Sequence, residues 1–218
     1  MDNKIGRLID TLEEQGLLDK TVIIYTSDHG ESLGEHGLWR KMNFYEQSVR
    51  VPLQISWPNV LPENKRYSGA VSLVDLTATI MDIAGVPNEI ASLMKLDGKT
   101  LLNPLRDHGW AEHDFALSEH LAHGTDRPAA MIRRGNYKLC YSYATEPELE
   151  LYNLASDPGE YDNLAQNPSF KTILSEMTAE LLAVWEPTDE MDSKIRDSQQ
   201  ARLLIRNVLG DKAIFLRR

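Results

Sequence analysis

The sequence predicts an α/β fold, a sheet flanked by helices, followed by a small antiparallel β-sheet and closing helices. Three observations carry the prediction. Ile5, Leu8, Ile9 and Leu12 recur at helical spacing. "TVIIYT" (Thr21–Thr26) is short, β-branched and apolar throughout, as a central parallel strand covered on both faces would be. From about Glu112 the segments "FALSEH", "AAMIRR", "YKLCYS" and "LELYNL" alternate with turn residues, which predicts an antiparallel sheet. The expected division is an α/β portion over 1–110 and a sheet subdomain with terminal helices over 111–218.

The elements follow in order. A helix opens at residue 2 and stops at Gly16. The strand "TVIIYT" comes next, and a second strand is expected over Val51–Ser56, after Arg50 and around Pro52. A helix is expected over Val74–Ala84, with Ser72 as N-cap and Gly85-Val86-Pro87 as the stop. After the four short strands, "SDPGEYDN" (Ser156–Asn163) is dense turn chemistry. Two helices close the chain, over Pro168–Val184 and Asp189–Leu209. Lys194, Arg196, Arg202 and Arg206 lie on the last one, and Lys212, Arg217 and Arg218 follow it.

Composition narrows the function classes. With 218 residues and 42% hydrophobic content, the chain can bury a real core. Its net charge of −10 argues against nucleic acid as a partner, because phosphate binding needs a basic surface. No apolar run approaches the roughly 20 residues a membrane-spanning helix needs. Cys140 is the only cysteine, so neither an intrachain disulfide nor a cysteine-based zinc site is available. That suits a reducing, cytoplasmic compartment. No secretory signal is visible, since the first residues already read as helix.

The chemistry concentrates in "TSDHGESLGEHGLWRK" (Thr26–Lys41). Asp28 and His29 follow an apolar strand, and in open α/β sheets ligands sit beyond the carboxyl ends of the strands. A carboxylate beside an imidazole can bind a divalent cation. The glycines permit sharp turns and close backbone approach. Lys41 ends the loop, and a metal plus an ammonium makes an anion clamp for phosphoryl or sulfuryl groups. An isolated Asp-His after a strand is often only a turn or a helix cap. The ordered set Asp-His-Gly, Gly-Glu-His-Gly and Lys is more specific.

"TVIIYTSDHGESLGEHGLWRKMNFYEQSVRVPLQISWP" resembles the second metal-binding segment of the sulfatases, in the alkaline-phosphatase superfamily. "VSLVDLTATIMDIAGVP", "LDGKTLLNPL" and "LELYNLASDPGEYDNLAQNP" resemble the family's next helix, its Asp-Gly loop and its C-terminal sheet and turn, in that order. "SEHLAHG", "MIRRGNYKL" and the tail "DSKIRDSQQARLLI" are most similar to the choline-sulfatase branch and its phosphonate-monoester-hydrolase relatives. The resemblance covers nearly the whole chain. It implies a partial alkaline-phosphatase-like sheet.

The resemblance also assigns roles. Asp28 and His29 match two metal ligands; many sulfatases carry Asn at the second position, and His fits the choline-sulfatase branch. Lys41 matches the lysine that contacts the sulfate and leaving-group oxygens. Glu119 can line the substrate end, where a carboxylate would face a quaternary ammonium; the competing reading is a solvated strand-end residue. His36 is expected to be structural, Lys138 and Asp157 to serve the C-terminal sheet and its turn, and Cys140 to be a small buried side chain. Ca²⁺ is the favoured metal, with Mn²⁺ the alternative that a His ligand admits.

Family members use a formylglycine formed within Cys/Ser-x-Pro-x-Arg. That motif is absent from these 218 residues, as is the Asp-Asp pair that supplies further metal ligands. The chain alone is therefore expected to lack sulfatase activity, since covalent catalysis needs its nucleophile. The expected substrate of the complete enzyme is a small sulfate ester, choline sulfate among the candidates, with a phosphonate monoester or phosphodiester as the alternative. A non-catalytic oligomerisation remnant is the third reading. Self-association through an exposed sheet edge or the C-terminal helix is expected in either case.

Overall fold

A computed structural model describes residues 2–107, 115–121 and 124–210. The chain forms two compact units, Met1–Gly30 with Arg50–Asp114 and Glu31–Val49 with Phe115–Arg218. The expected boundary at 110/111 lies outside the described residues, as do Ala122 and His123 of "SEHLAHG" and the tail cations Lys212, Arg217 and Arg218.

The first unit opens with α1 (Asp2–Glu14). The helix ends as the sequence predicts, because Gly16 takes φ +64° and lets Leu17 N–H reach back to Leu12 O at 2.8 Å. Then β1 (Ile23–Thr26) pairs with β4 (Leu53–Ser56). The pairing is antiparallel, with Ile23 opposite Ser56 and Thr26 opposite Leu53. The expected parallel, two-sided strand is thus corrected. Among the described residues β1 has one partner, and its four residues are only half-buried. An unbroken apolar run implies cover on both faces but carries no information about strand direction.

Helix α3 (Val74–Ile83) also departs from expectation at its start. The N-cap is Leu73, and the Ser72 hydroxyl caps nothing there. Instead the buried Asp75 carboxylate accepts from Ser72 N–H at 2.9 Å and, with its other oxygen, from Lys99 N–H at 2.9 Å. One acidic side chain thus closes the helix start and the Asp97-Gly98 loop together. The far end follows the predicted stop: Gly85 has φ +67° and Val86 N–H bonds Met81 O at 3.0 Å. Thr79, fully buried, donates to Asp75 O and accepts from Leu101 N–H. Short helices α4 (Asn88–Leu93) and α5 (Leu102–Asp107) complete the described part of this unit.

In the second unit, β2 (Ser32–Leu33) and β3 (Trp39–Arg40) form a hairpin that leads into the one-turn helix α2 (Glu46–Val49). The main sheet is antiparallel, in the order β5 (Phe115–His120), β6 (Ala129–Arg134), β7 (Tyr137–Ser142), β8 (Glu148–Asn153). Strand alternation gives it two different faces. Ala130, Ile132, Leu139, Tyr141 and Leu151 form one, and α6 (Lys171–Val184) covers it with Met177 and Leu181, joined by Trp185 just beyond. Those three residues are four apart and so share one helix face. The opposite face places Arg133, Lys138 and Tyr152 in one cross-strand row and Met131, Cys140 and Glu150 in the next. Helix α7 (Asp189–Leu209) starts at Thr188, whose hydroxyl accepts from Met191 N–H, with Asp189, Glu190 and Asp192 in its first turn.

Candidate functional site

Asp28 and His29 directly follow β1. Asp28 Oδ1 accepts from His29 N–H at 3.0 Å and lies 3.3 Å from the Ser27 hydroxyl. The His29 backbone amide, chiefly, holds the Asp28 carboxyl below its ordinary range, so the group is anionic at neutral pH. The imidazole turns its Nδ1 to Gly30 O at 2.6 Å. A carbonyl only accepts, so Nδ1 carries a proton, which leaves Nε2 as the ring nitrogen that could ligate a metal. Nε2 lies 3.4 Å from Asp28 Oδ2.

This arrangement fits a divalent cation. Two donors that ligate one ion at about 2.0–2.6 Å stand roughly 3.0–3.5 Å apart when cis. A backbone carbonyl on the distal nitrogen is also how metal-bound imidazoles are oriented. The pair offers only two donors. Among the described residues no group of three or more His, Cys, Asp or Glu side chains could hold a metal ion.

Lys41 belongs to the other unit and ends the β2–β3 hairpin. The turn explains the glycines. Gly34, Gly37 and His36 have φ of +126°, +70° and +53°, and Gly37 N–H closes on Gly34 O at 3.0 Å. Glu35 Oε2 accepts from Leu33 N–H at 2.6 Å, and that bond keeps its carboxyl below the ordinary range. His36 serves packing: its ring stacks on Tyr45 and Tyr161, and Nε2–H donates to Gly159 O at 2.9 Å. Lys41 is exposed, and none of the described residues gives it a hydrogen bond or an ion pair. Glu119 is exposed on the edge strand β5, in register with Ala130.

Beside the charged face of the sheet lies a cavity of about 390 Å³, lined by Phe44, His120, Arg127, Cys140 and Glu150 among others. Burial pushes the Cys140 thiol far up, so it stays protonated and unreactive. Burial also raises the Glu150 carboxyl. Sequence reasoning missed the charges next to it. Lys138 is fully buried, and its ammonium meets Glu160 Oε1 at 2.5 Å, Glu46 Oε1 at 2.9 Å and Phe44 O at 2.8 Å. The only signal available for this was the turn motif that carries Glu160. Asp157 does cap that turn, accepting from Asp162 N–H at 2.9 Å.

Residues 1–86 match the Sulfatase family model. The choline-sulfatase of Rhizobium meliloti (strain 1021) is 36% identical over 217 residues, which is 99% of this chain and 41% of that protein. A solved structure in complex with its substrate D-glucosamine-2-N,6-O-disulfate superposes with a TM-score of 0.72 at 30% identity. It covers 84% of this chain and 38% of its own. Phosphonate monoester hydrolase of Agrobacterium radiobacter superposes with a TM-score of 0.68 at 27% identity, over the same shares. The chain belongs to the sulfatase family. It spans about two fifths of the length of these relatives, and its mixed α/β architecture is theirs.

Proposed function

We propose that this chain supplies part of the active centre of a metal-dependent sulfatase that hydrolyses a small sulfate ester. The Asp28–His29 pair carries the reading, because Asp28 Oδ2 and His29 Nε2 converge 3.4 Å apart while Nδ1 is held by Gly30 O. Asp28 and His29 would hold the divalent cation, Ca²⁺ or Mn²⁺. When bound, that ion withdraws charge from the sulfate oxygens. Lys41 would place a fixed ammonium against charge that builds on the leaving oxygen, which favours the transition state over the ground state. Glu119 would line the substrate end and face a cationic leaving group such as choline. The family's nucleophile, a formylglycine, has no encoding motif in these 218 residues, so the chain by itself is proposed to be inactive.

A phosphonate monoester or phosphodiester is the second substrate class. It is favoured by the phosphonate monoester hydrolase, which superposes almost as well as the sulfatase complex. Self-association is supported by the exposed Leu204 and Val208 on α7.

The test is turnover of choline sulfate, an aryl sulfate and a phosphonate monoester by the gene product carrying this chain, beside its Asp28→Asn and His29→Ala variants. Loss in both variants supports the metal assignment, and a preference for the phosphonate would select the second class. Turnover by the purified 218-residue chain alone would overturn the proposed inactivity.

A further inference from the structure

The loop that carries Lys41 is tied to the C-terminal sheet by buried charge. The Lys138 ammonium donates to Phe44 O at 2.8 Å and to Glu46 Oε1 at 2.9 Å, and it forms an ion pair with Glu160 Oε1 at 2.5 Å. The other Glu160 oxygen accepts from Glu46 N–H at 2.6 Å. The second Glu46 oxygen faces Arg133 Nη1 at 3.7 Å. The backbone is thus gripped at Phe44 and at Glu46, a few residues beyond Lys41. Lys138 and Glu160 are both sealed from water.

Two features separate this cluster from ordinary packing. A buried ion pair costs desolvation, and apolar residues of similar volume would serve stability as well or better. Glu160 also takes φ +60°, a conformation that disfavours a long side chain and that glycine or asparagine adopts more readily. Position and charge are both held against a cost. The chemistry gained is directional: two hydrogen bonds from Lys138 and the Glu46 N–H donated to Glu160 fix a loop in register more narrowly than apolar contact can.

We infer that Lys138 and Glu160 are positioning residues for Lys41. The C-terminal sheet therefore sets where the anion-binding ammonium stands, without touching substrate itself. The inference rests on the catalytic role proposed for Lys41, but its mechanical part can be tested separately.

That test uses Glu160→Gln, which keeps an oxygen for Glu46 N–H and removes the charge; Lys138→Met, which strands two carboxylates, is the harsher companion. A nitroxide placed on Lys41→Cys reports loop mobility, because Cys140 is buried and protonated and will not take the label. The expected result is a restricted spectrum in the parent and a mobile one with Glu160→Gln. Amide exchange over residues 41–49 should rise at least about tenfold, while Ile132 and Leu139 in the sheet change by less than about twofold. Equal mobility and exchange would overturn the inference, and so would a uniform rise across loop and sheet.

The second arm is a double-mutant cycle on turnover by the gene product carrying this chain. Glu160→Gln should lower kcat about tenfold or more with KM little changed, and the loss should vanish in a Lys41→Ala background. Additive losses would overturn the positioning role. If Lys41→Ala leaves turnover intact while the label still reports a freed loop, the anchor stands and the catalytic reading of Lys41 is what fails.

Discussion

The imidazole of His36 lies flat on the phenol ring of Tyr45, with 3.8 Å between centroids and 3° between planes. Tyr161 stacks on His36 as well, at 4.9 Å, and Gly159 O holds its Nε2. Aromatic pairs of this kind contribute about 0.5–1.5 kcal/mol beyond area burial, and a hydrogen bond about as much. His36→Ala should therefore cost about 1–3 kcal/mol in a urea titration of the chain. His36→Asn suits the left-handed backbone better and should cost less than Ala. A loss under about 0.5 kcal/mol in both variants would show the stack to be incidental.

Gly98 and Gly6 make opposite predictions. A Cβ on Gly98 would drive into the Val74 carbonyl at the start of α3, and backbone cannot swing aside. Gly98→Ala should cost about 1–3 kcal/mol, as overpacking does. Gly6 lies within α1 with nothing near its would-be Cβ. Gly6→Ala should stabilise by roughly 0.5–1 kcal/mol through helix propensity. Thermal melts of the two variants should shift in opposite directions; shifts of the same sign would contradict the packing described for the Asp-Gly loop.

Glu150 supplies a pH dependence of definite sign. Burial raises its carboxyl above the usual value, with a smaller opposing contribution from a hydrogen bond with Tyr152. A raised folded-state pKa means stability that is whole below the unfolded pKa of about 4.3 and is lost as pH rises through the folded value. Glu150→Gln should abolish that loss. The variant should be more stable than the parent at pH 7, and the gap should shrink toward pH 4. A gap that is constant from pH 4 to 7 would mean the carboxylate is well solvated.

Lys41 carries the plainest catalytic prediction. Removing one preorganised transition-state contact costs on the order of 100- to 1,000-fold in turnover. Lys41→Ala in the gene product carrying this chain should show a loss of that size in kcat. A loss smaller than about threefold would make Lys41 ordinary surface.

The C-terminal sheet was legible because its strands are short, alternate in polarity and sit between turn residues. Ala130, Ile132, Leu139 and Leu151 fall on one face by alternation alone. The helix stops at Gly16 and Gly85 were legible for a related reason, since the left-handed residue is written in the sequence. The direction of β1 was not, because Ile23 and Ile24 pack alike in either pairing. Ser72 reads as a cap by residue type, but it is the Asp75 carboxylate that bonds here, to Ser72 N–H and to Lys99 N–H in a loop 24 residues away. Asp28 and His29 stood out by residue type and by resemblance. Lys138 did not, because a lysine in a strand normally points to water; what buries it arrives from Phe44, Glu46 and Glu160, all distant in sequence.

That distance has a consequence for the chain as it is made. Glu46 and the carboxylate that receives its N–H are 114 residues apart, and Lys138 lies 94 residues beyond Phe44. At about 5–20 residues per second, a ribosome needs roughly 5–20 s to deliver the second partner after the first. For that interval the hairpin, with its exposed Leu33 and Trp39, waits for anchoring partners that are still untranslated. The nascent chain must therefore carry this segment without its buried anchor until Lys138 and Glu160 have been made.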